Sequence, residues 1–91
     1  MPVRICTQEP FRKLLDNEPV VEVSGQTVSE ALRSLQTRYP RFVERMLDRS
    51  GSVHRFVNIY VNEEDIRFLE NQHTRLQDGD EIRIIPSIAG G

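Results

Sequence analysis

The sequence has 91 residues, of which 37% are hydrophobic and 29% charged, a balance typical of one small globular domain. Twelve basic residues face fourteen acidic ones, and the resulting net charge of −2 argues against nucleic-acid binding and against attachment to an anionic membrane surface. The apolar runs are too short for a transmembrane helix or a signal peptide, so we expect a cytoplasmic protein.

The first part of the chain predicts two strands joined by a loop. Val3 and Ile5 alternate with less apolar neighbours, which is the pattern of a strand with one buried face. The segment 9–19 is polar and flanked by prolines, so we expect a loop that directs a few apolar side chains inward. The valine-rich segment 20–23 predicts the second strand.

The clearest helical pattern lies in the middle of the chain. Thr27 is a good N-cap and Glu30 follows three residues later, which completes the pattern of a capping box. Apolar residues then recur at helical spacing, so we expect a helix over 28–39 that is stopped by Pro40. Residues 42–47 suggest a further short helical turn.

The second half of the chain predicts three more strands. Residues 56–61 have the strongest β propensity, 66–68 predict a short edge strand, and 81–85 predict the last strand. The Asp-Gly pair at 78–79 predicts the turn before that last strand. Pro86 lacks a backbone donor and marks the point where regular pairing should fail.

This order of elements matches an α+β fold of the β-grasp, or ubiquitin-like, type. A hairpin leads through a crossover helix into a mixed sheet of four to five strands, packed on one main helix. We expect residues 1–91 to form a single domain in which 87–91 is a flexible tail. The helix should cover one face of the sheet and leave the other face open.

The sequence closes with Gly90-Gly91, and neither residue has a Cβ atom, so this backbone can enter a slot too narrow for side chains. Extended residues 88–91 would carry a terminal carboxylate roughly 13 Å from the domain. A carboxylate is a poor electrophile, and its usual activation is adenylation by ATP followed by attack of a sulfur nucleophile. The product would be a thiocarboxylate on Gly91, formed by machinery that a partner must supply.

Two segments resemble a known family, the β-grasp sulfur carriers of the ThiS/MoaD/CysO type, which are distant relatives of ubiquitin. Residues 76–91 resemble the family's Asp-Gly-Asp turn, last strand, proline and Gly-Gly tail. Residues 54–68 most resemble the carriers that feed cysteine synthesis. With the helix in register, the resemblance covers nearly the whole chain, and segment 6–19 matches least.

The resemblance implies a sulfur carrier and not an enzyme. Its partners would be an adenylating enzyme related to the ubiquitin-activating enzymes and a sulfur-acceptor enzyme, expected to be a pyridoxal-phosphate enzyme of cysteine synthesis. ATP and a sulfur donor would be used by the activating partner, so we expect no cofactor bound to this chain. Three alternatives stay open: the small subunit of molybdopterin synthase, a ubiquitin-like modifier of target lysines, and a domain that merely binds a partner.

Four tail residues are the expected centre of this function. Gly91 is the expected site of the adenylate and the thiocarboxylate, and Gly90 gives clearance beside it. Ala89 and Ile88 are expected to line the partner's channel. We expect no catalytic residue in the chain, because it shows neither a nucleophile–base arrangement nor a glycine-rich ATP loop.

The open face of the sheet is the expected partner contact. If the other isoleucines of the last strand point inward, alternation directs Arg83 and Ile85 outward. Tyr60 and Phe56 are expected to share this face. Ile85 and Tyr60 would then form an exposed apolar patch near the tail, and such patches often mark interfaces.

Cys6 and the two histidines offer no predicted reactive centre. Nothing in the sequence near Cys6 is placed to lower the pKa of its thiol, so we expect a half-exposed strand cysteine. His54 and His73 are well separated and lack companion ligands, so we expect no metal site. The acidic run 63–65 predicts a solvated turn, with docking on basic residues of a partner as the alternative.

Overall fold

A computed structural model describes residues 2–9 and 11–86 of the chain. The strands are β1 (Val3–Thr7), β2 (Val20–Val23), β3 (Val57–Val61), β4 (Glu64–Asp65) and β5 (Glu81–Pro86). The α-helices are α1 (Val28–Arg33) and α2 (Pro40–Met46), and short 3-10 helices cover Phe11–Leu15, Ile66–Phe68 and Asn71–His73. The predicted tail residues Ile88, Ala89, Gly90 and Gly91 lie outside the described residues.

The strands form one mixed five-stranded sheet in the order β2-β1-β5-β3-β4. β1 and β5 are parallel, with Arg4 opposite Glu81 and Thr7 opposite Ile84, whereas the other neighbouring strands are antiparallel. The hairpin of β1 and β2, the helical crossover and the return of β5 beside β1 make up the β-grasp arrangement. The predicted fold class is therefore confirmed.

One face of the sheet packs against α1 and α2 to form the hydrophobic core. Alternate residues of each long strand point into this core, as the period-two patterns predicted. The strands contribute Val3, Ile5, Val21, Val23, Val57, Ile59, Val61, Ile82 and Ile84, and the helices contribute Val28, Ala31, Leu32, Phe42, Val43 and Met46. Apart from Thr7 and Asp65, which are buried polar residues, the remaining strand residues are exposed or half-buried and lie mainly on the opposite face.

The predicted N-terminus of α1 is confirmed. The Thr27 hydroxyl oxygen accepts a hydrogen bond from the Glu30 backbone N–H at 3.1 Å. The Glu30 carboxylate accepts from the backbone N–H of Gln26 at 3.0 Å, one residue earlier than in a standard capping box. The reciprocal bonds satisfy backbone donors that a helix start otherwise leaves unpaired.

The helix predicted over 28–39 is wrong in its length, because α1 ends at Arg33. The Ser34 hydroxyl donates to the backbone carbonyl of Ala31 at 2.7 Å, and the chain continues in turns. Such local side-chain bonds compete with helix geometry. Pro40 does not stop this helix but begins α2, where its fixed φ and missing N–H suit the first helical position.

Two connecting segments also differ from the prediction. The predicted loop 9–19 contains the 3-10 helix Phe11–Leu15, although it does direct apolar side chains inward. The edge strand predicted for 66–68 is wrong, because these residues form a 3-10 helix and the edge strand is β4. The Asp65 carboxylate accepts from the Arg67 backbone N–H at 2.8 Å, which favours a helical turn over an extended chain.

The strand ends near the tail shift by one residue. β3 begins at Val57 and not at Phe56, and β5 continues through Pro86, which pairs with Val57. The predicted turn before β5 is confirmed, and Gly79 adopts a φ of +87° there, a conformation that glycine accepts without strain. The last strand thus leads to the tail directly from a paired position in the sheet.

Candidate partner-binding site at the tail end of the sheet

The chain leaves the sheet from its central strand. β5 lies between β1 and β3, and its last residue, Pro86, pairs with Val57. The buried Thr7 hydroxyl donates to the Ile84 backbone carbonyl at 3.2 Å, which ties the end of β1 to β5. The strands β1 and β5 finish at the same end of the sheet, where β3 begins, and we call this the tail end. Pro86, the last described residue, is therefore held in the sheet by its pairing with β3.

The structure brings three of the predicted interface residues together on the open face. Ile85 on β5 lies opposite Asn58 on β3, and Arg83 lies between Tyr60 on β3 and Cys6 on β1. Ile85 and Tyr60 are half-buried, and the Arg83 side chain is exposed. Residues directly opposite one another in a sheet share a face, so these side chains form one surface that leads to the tail.

Phe56, the fourth predicted interface residue, lies outside the strand that was predicted to hold it. It occupies a turn immediately before β3, at the tail end, and 43% of its surface is exposed. Its ring stacks on His54, with centroids 5.2 Å apart and an interplanar angle of 17°. Phe56 therefore lies at the tail end of the sheet. The turn, and not strand alternation, determines the direction of its side chain.

A small polar cluster adjoins Arg83 on the open face, toward the start of β5. The Cys6 thiol donates to one Glu81 oxygen at 3.1 Å, while the Arg83 guanidinium approaches the other oxygen at 3.4 Å. Burial, followed by the bond to Glu81, raises the pKa of the Cys6 thiol to about 11. The thiol is thus protonated at neutral pH, which makes it a weak nucleophile and agrees with the predicted half-exposed strand cysteine.

The part of the chain that the structure describes contains no group of three or more His, Cys, Asp or Glu side chains able to hold a metal ion. His54 is engaged with Phe56, and His73 lies in a separate 3-10 helix. Over the same described residues, none of the helices is both long and apolar enough to span a bilayer.

Sequence reasoning missed one exposed apolar feature. Phe68 is 81% exposed and Leu69 is 37% exposed, at the end of the 3-10 helix that follows the short edge strand β4. The prediction of an edge strand at 66–68 gave these side chains no special role. The available signal was a pair of large apolar residues following the acidic run 63–65, which is an unusual place for apolar side chains if the segment is only a solvated turn.

Comparisons with known proteins agree with this architecture. A family model described as the ThiS family matches residues 9–91. The chain is 45% identical over 93 residues to the sulfur carrier protein CysO of Mycobacterium tuberculosis (strain ATCC 25618 / H37Rv), and that match covers 100% of both chains. It is 35% identical over 65 residues to the small archaeal modifier protein 3 of Haloferax volcanii, covering 71% of this chain and 70% of that protein.

A solved structure matches at the level of the whole fold. A chain of the Amycolatopsis orientalis BexX/CysO complex superposes with a TM-score of 0.88 at 34% identity. The superposition covers 98% of this chain and 99% of that chain. From the family match over most of its length and from these relatives, the chain belongs to the ThiS family.

Proposed function

We propose that this chain is a sulfur carrier that holds sulfur as a thiocarboxylate on Gly91 and delivers it to a biosynthetic enzyme. The observation that carries the proposal is the full-length identity of 45% to the sulfur carrier protein CysO. The geometry supports it, because the tail departs from a paired central strand between two flanking strands. A thin glycine arm on such a base suits delivery of one carboxyl group into another protein.

The proposed chemistry has two steps before sulfur is delivered. The Gly91 carboxylate attacks the α-phosphate of ATP on the activating enzyme, which releases pyrophosphate and leaves an acyl-adenylate. A sulfide equivalent then attacks the acyl carbon and displaces AMP, so that one carboxylate oxygen leaves with AMP and sulfur takes its place. This chain supplies the acyl group and its presentation, whereas ATP and the sulfur donor belong to the partner.

Cysteine synthesis is the pathway we propose for the delivered sulfur. The full-length relative is named a CysO sulfur carrier, and the acceptor would then be a pyridoxal-phosphate enzyme that makes cysteine. The solved BexX/CysO complex, one chain of which superposes on this one, supports the proposal that this chain acts through a partner protein. We also propose that the carrier acts in the cytoplasm, without nucleic acid or membrane as a partner.

The open face near the tail is the proposed contact for these enzymes. Ile85, Tyr60 and Arg83 lie on it, and Phe56 stands at its tail-end edge. The side chains of Ile88 and Ala89 would enter the partner's channel ahead of the glycines. In this role the chain is a protein substrate and not a catalyst.

A second candidate function is protein modification. The observation that favours it is the 35% identity to the small archaeal modifier protein 3 over 71% of this chain. In that role the activated Gly91 acyl group would pass to the amino group of a target lysine and form an isopeptide bond. A small subunit of molybdopterin synthase is the remaining alternative, and it would form a stable complex with a larger catalytic chain.

Intact mass spectrometry tests the proposal directly. The protein is incubated with its purified activating enzyme, ATP and sulfide, and the expected mass gain is the difference between one sulfur and one oxygen atom. A variant lacking Gly91 is the matched control and should gain nothing. An unchanged wild-type mass, with the enzyme shown to be active on another carrier, would overturn the proposal. Conjugates that survive reducing gels would favour the modifier.

A further inference from the structure

Phe68 is the most exposed large apolar side chain among the described residues. The other exposed large apolar side chains in the described ranges are Leu69, next to Phe68, and Phe56 and Val20. A phenylalanine ring that is 81% exposed gains nothing for the stability of the isolated chain. Scattered surface apolar residues are common, but two adjacent ones beside a proposed interface call for a partner.

The backbone that carries Phe68 is held on both sides. Ile66, two residues earlier, is buried in the core, and the Leu69 backbone N–H donates to the Ile66 carbonyl at 2.9 Å. After the apolar pair, the Glu70 backbone N–H donates to the hydroxyl of buried Thr74 at 3.0 Å. A ring presented from a fixed backbone loses little conformational entropy when it binds, which is the property of an interface anchor.

The topology directs the segment that carries this anchor toward the tail end of the sheet. β4 runs antiparallel to β3, and β3 runs antiparallel to β5, so β4 points in the same direction as β5. The chain beyond Asp65 therefore heads toward the edge from which the tail departs. β4 is two strand positions from β5, which corresponds to roughly 10 Å across the sheet. Ile66 and Arg67, directly before Phe68, line one pocket together with Val57, the residue opposite Pro86, so an enzyme that receives the tail would pass close to this segment.

The charges around the apolar pair are acidic. Glu63, Glu64 and Glu70 are exposed, and their carboxylates form no ion pair or side-chain hydrogen bond with other residues in 2–9 and 11–86. Asp65 and Arg67 compensate each other through a contact of 2.7 Å. The complementary surface is an apolar pocket bordered by lysine or arginine side chains.

We propose that Phe68 and Leu69 anchor this chain on the enzyme that activates its tail, with the acidic residues 63, 64 and 70 facing basic side chains of that enzyme. This inference rests on the proposed function. A Gly-Gly carboxylate has no group that distinguishes it from other chain ends, so the activating enzyme must recognise the folded domain. The sulfur acceptor, by contrast, can recognise the thiocarboxylate sulfur itself. The anchor therefore serves the first enzyme.

The test compares Phe68→Ser with Val20→Ser in the full chain. Val20 is an exposed apolar residue of β2, at the edge of the sheet opposite β4 and outside the proposed contact of Ile85, Tyr60, Arg83 and Phe56, and it tests whether any exposed apolar residue gives the same effect. Formation of the thiocarboxylate by the purified activating enzyme is followed by intact mass over a range of carrier concentrations. We expect Phe68→Ser to raise KM about tenfold or more with kcat unchanged, and Val20→Ser to leave both values unchanged.

Salt dependence tests the acidic border. The double variant Glu63→Lys/Glu70→Lys should lower kcat/KM at low ionic strength and flatten the dependence of kcat/KM on salt. Thermal unfolding of each variant, followed by circular dichroism, should stay close to wild type because all of the changed side chains are exposed.

Several results would overturn the inference. These are an unchanged KM for Phe68→Ser, an equal effect of Val20→Ser, a loss confined to the sulfur-acceptor step, and a self-association of wild type that Phe68→Ser abolishes. Failure of the proposed function is a separate outcome, because wild type would then gain no sulfur with any enzyme preparation. If wild type is converted and Phe68→Ser behaves identically, the anchor alone is wrong.

Discussion

Ile84 and Ile85 are neighbours on β5, but their side chains lie on opposite faces of the sheet. The Ile84 side chain points into the helix-covered face and is fully buried, while Ile85 is half-buried on the open face. The covered face holds the fold together by removing apolar surface from water. The open face keeps part of its apolar surface in contact with water, where a second protein can cover it. Stability and recognition are thus carried by alternate residues of one strand.

The largest expected effect is loss of stability on the covered face. Ile84→Ala should lower the free energy of unfolding by about 2–5 kcal/mol, because it removes buried methylene groups and leaves a cavity. Urea denaturation followed by circular dichroism measures this change. The domain is small, so the loss is a large fraction of its total stability. A shift below about 1 kcal/mol would mean that the core relaxes around the cavity.

A substitution of the neighbouring Ile85 should affect stability little and partner binding strongly. Ile85→Ser is expected to change the free energy of unfolding by less than about 1 kcal/mol, since its side chain is already partly in water. It should nevertheless lower kcat/KM for thiocarboxylate formation about tenfold if this face contacts the activating enzyme. Measuring both quantities on the same sample separates binding from folding. Normal kinetics with lowered stability would assign Ile85 to the core.

Asp65, on the edge strand β4, should make the stability of the domain depend on pH. The side-chain hydrogen bond from Arg67 holds the pKa of Asp65 below its usual range. A carboxyl group with a lower pKa in the folded state contributes stability above its unfolded pKa, and that contribution disappears as the pH falls through the folded pKa. Between about pH 5 and pH 2, wild type should therefore lose more stability than Asp65→Asn. Parallel urea titrations for the two proteins would contradict this.

The smallest effect concerns the thiol beside Glu81. Because the pKa of Cys6 is raised to about 11, its alkylation by iodoacetamide should be slow at pH 8 and should accelerate toward pH 11. Glu81→Gln should lower that pKa only in part, since burial is the larger cause. The rate in the urea-unfolded protein is the reference. Equal rates in the folded and unfolded proteins would show that Cys6 is exposed.

Sequence reasoning succeeded where the cause of structure is local. Alternation of apolar and polar residues predicted which side chains of 81–85 face the core, and Thr27 predicted the start of α1. It failed at the end of that helix, because burial of residues at helical spacing does not require continuous helix. It also failed at 66–68, where a carboxylate two residues from Arg67 stabilises a 3-10 turn in place of a strand.

The chain by itself determined the four longer strands, the helix start, the Gly-Gly tail and its family resemblance, because these depend on residues close together in sequence. Tertiary structure decided which distant residues meet. The parallel pairing of β1 with β5 brings Cys6 beside Glu81, 75 positions away. The order of strands places β4, which the exposed Phe68 follows, at the lateral edge of the sheet, two strands from β5. Period-two patterns identify a buried face but carry no information about neighbouring strands, which are selected by packing of the whole core.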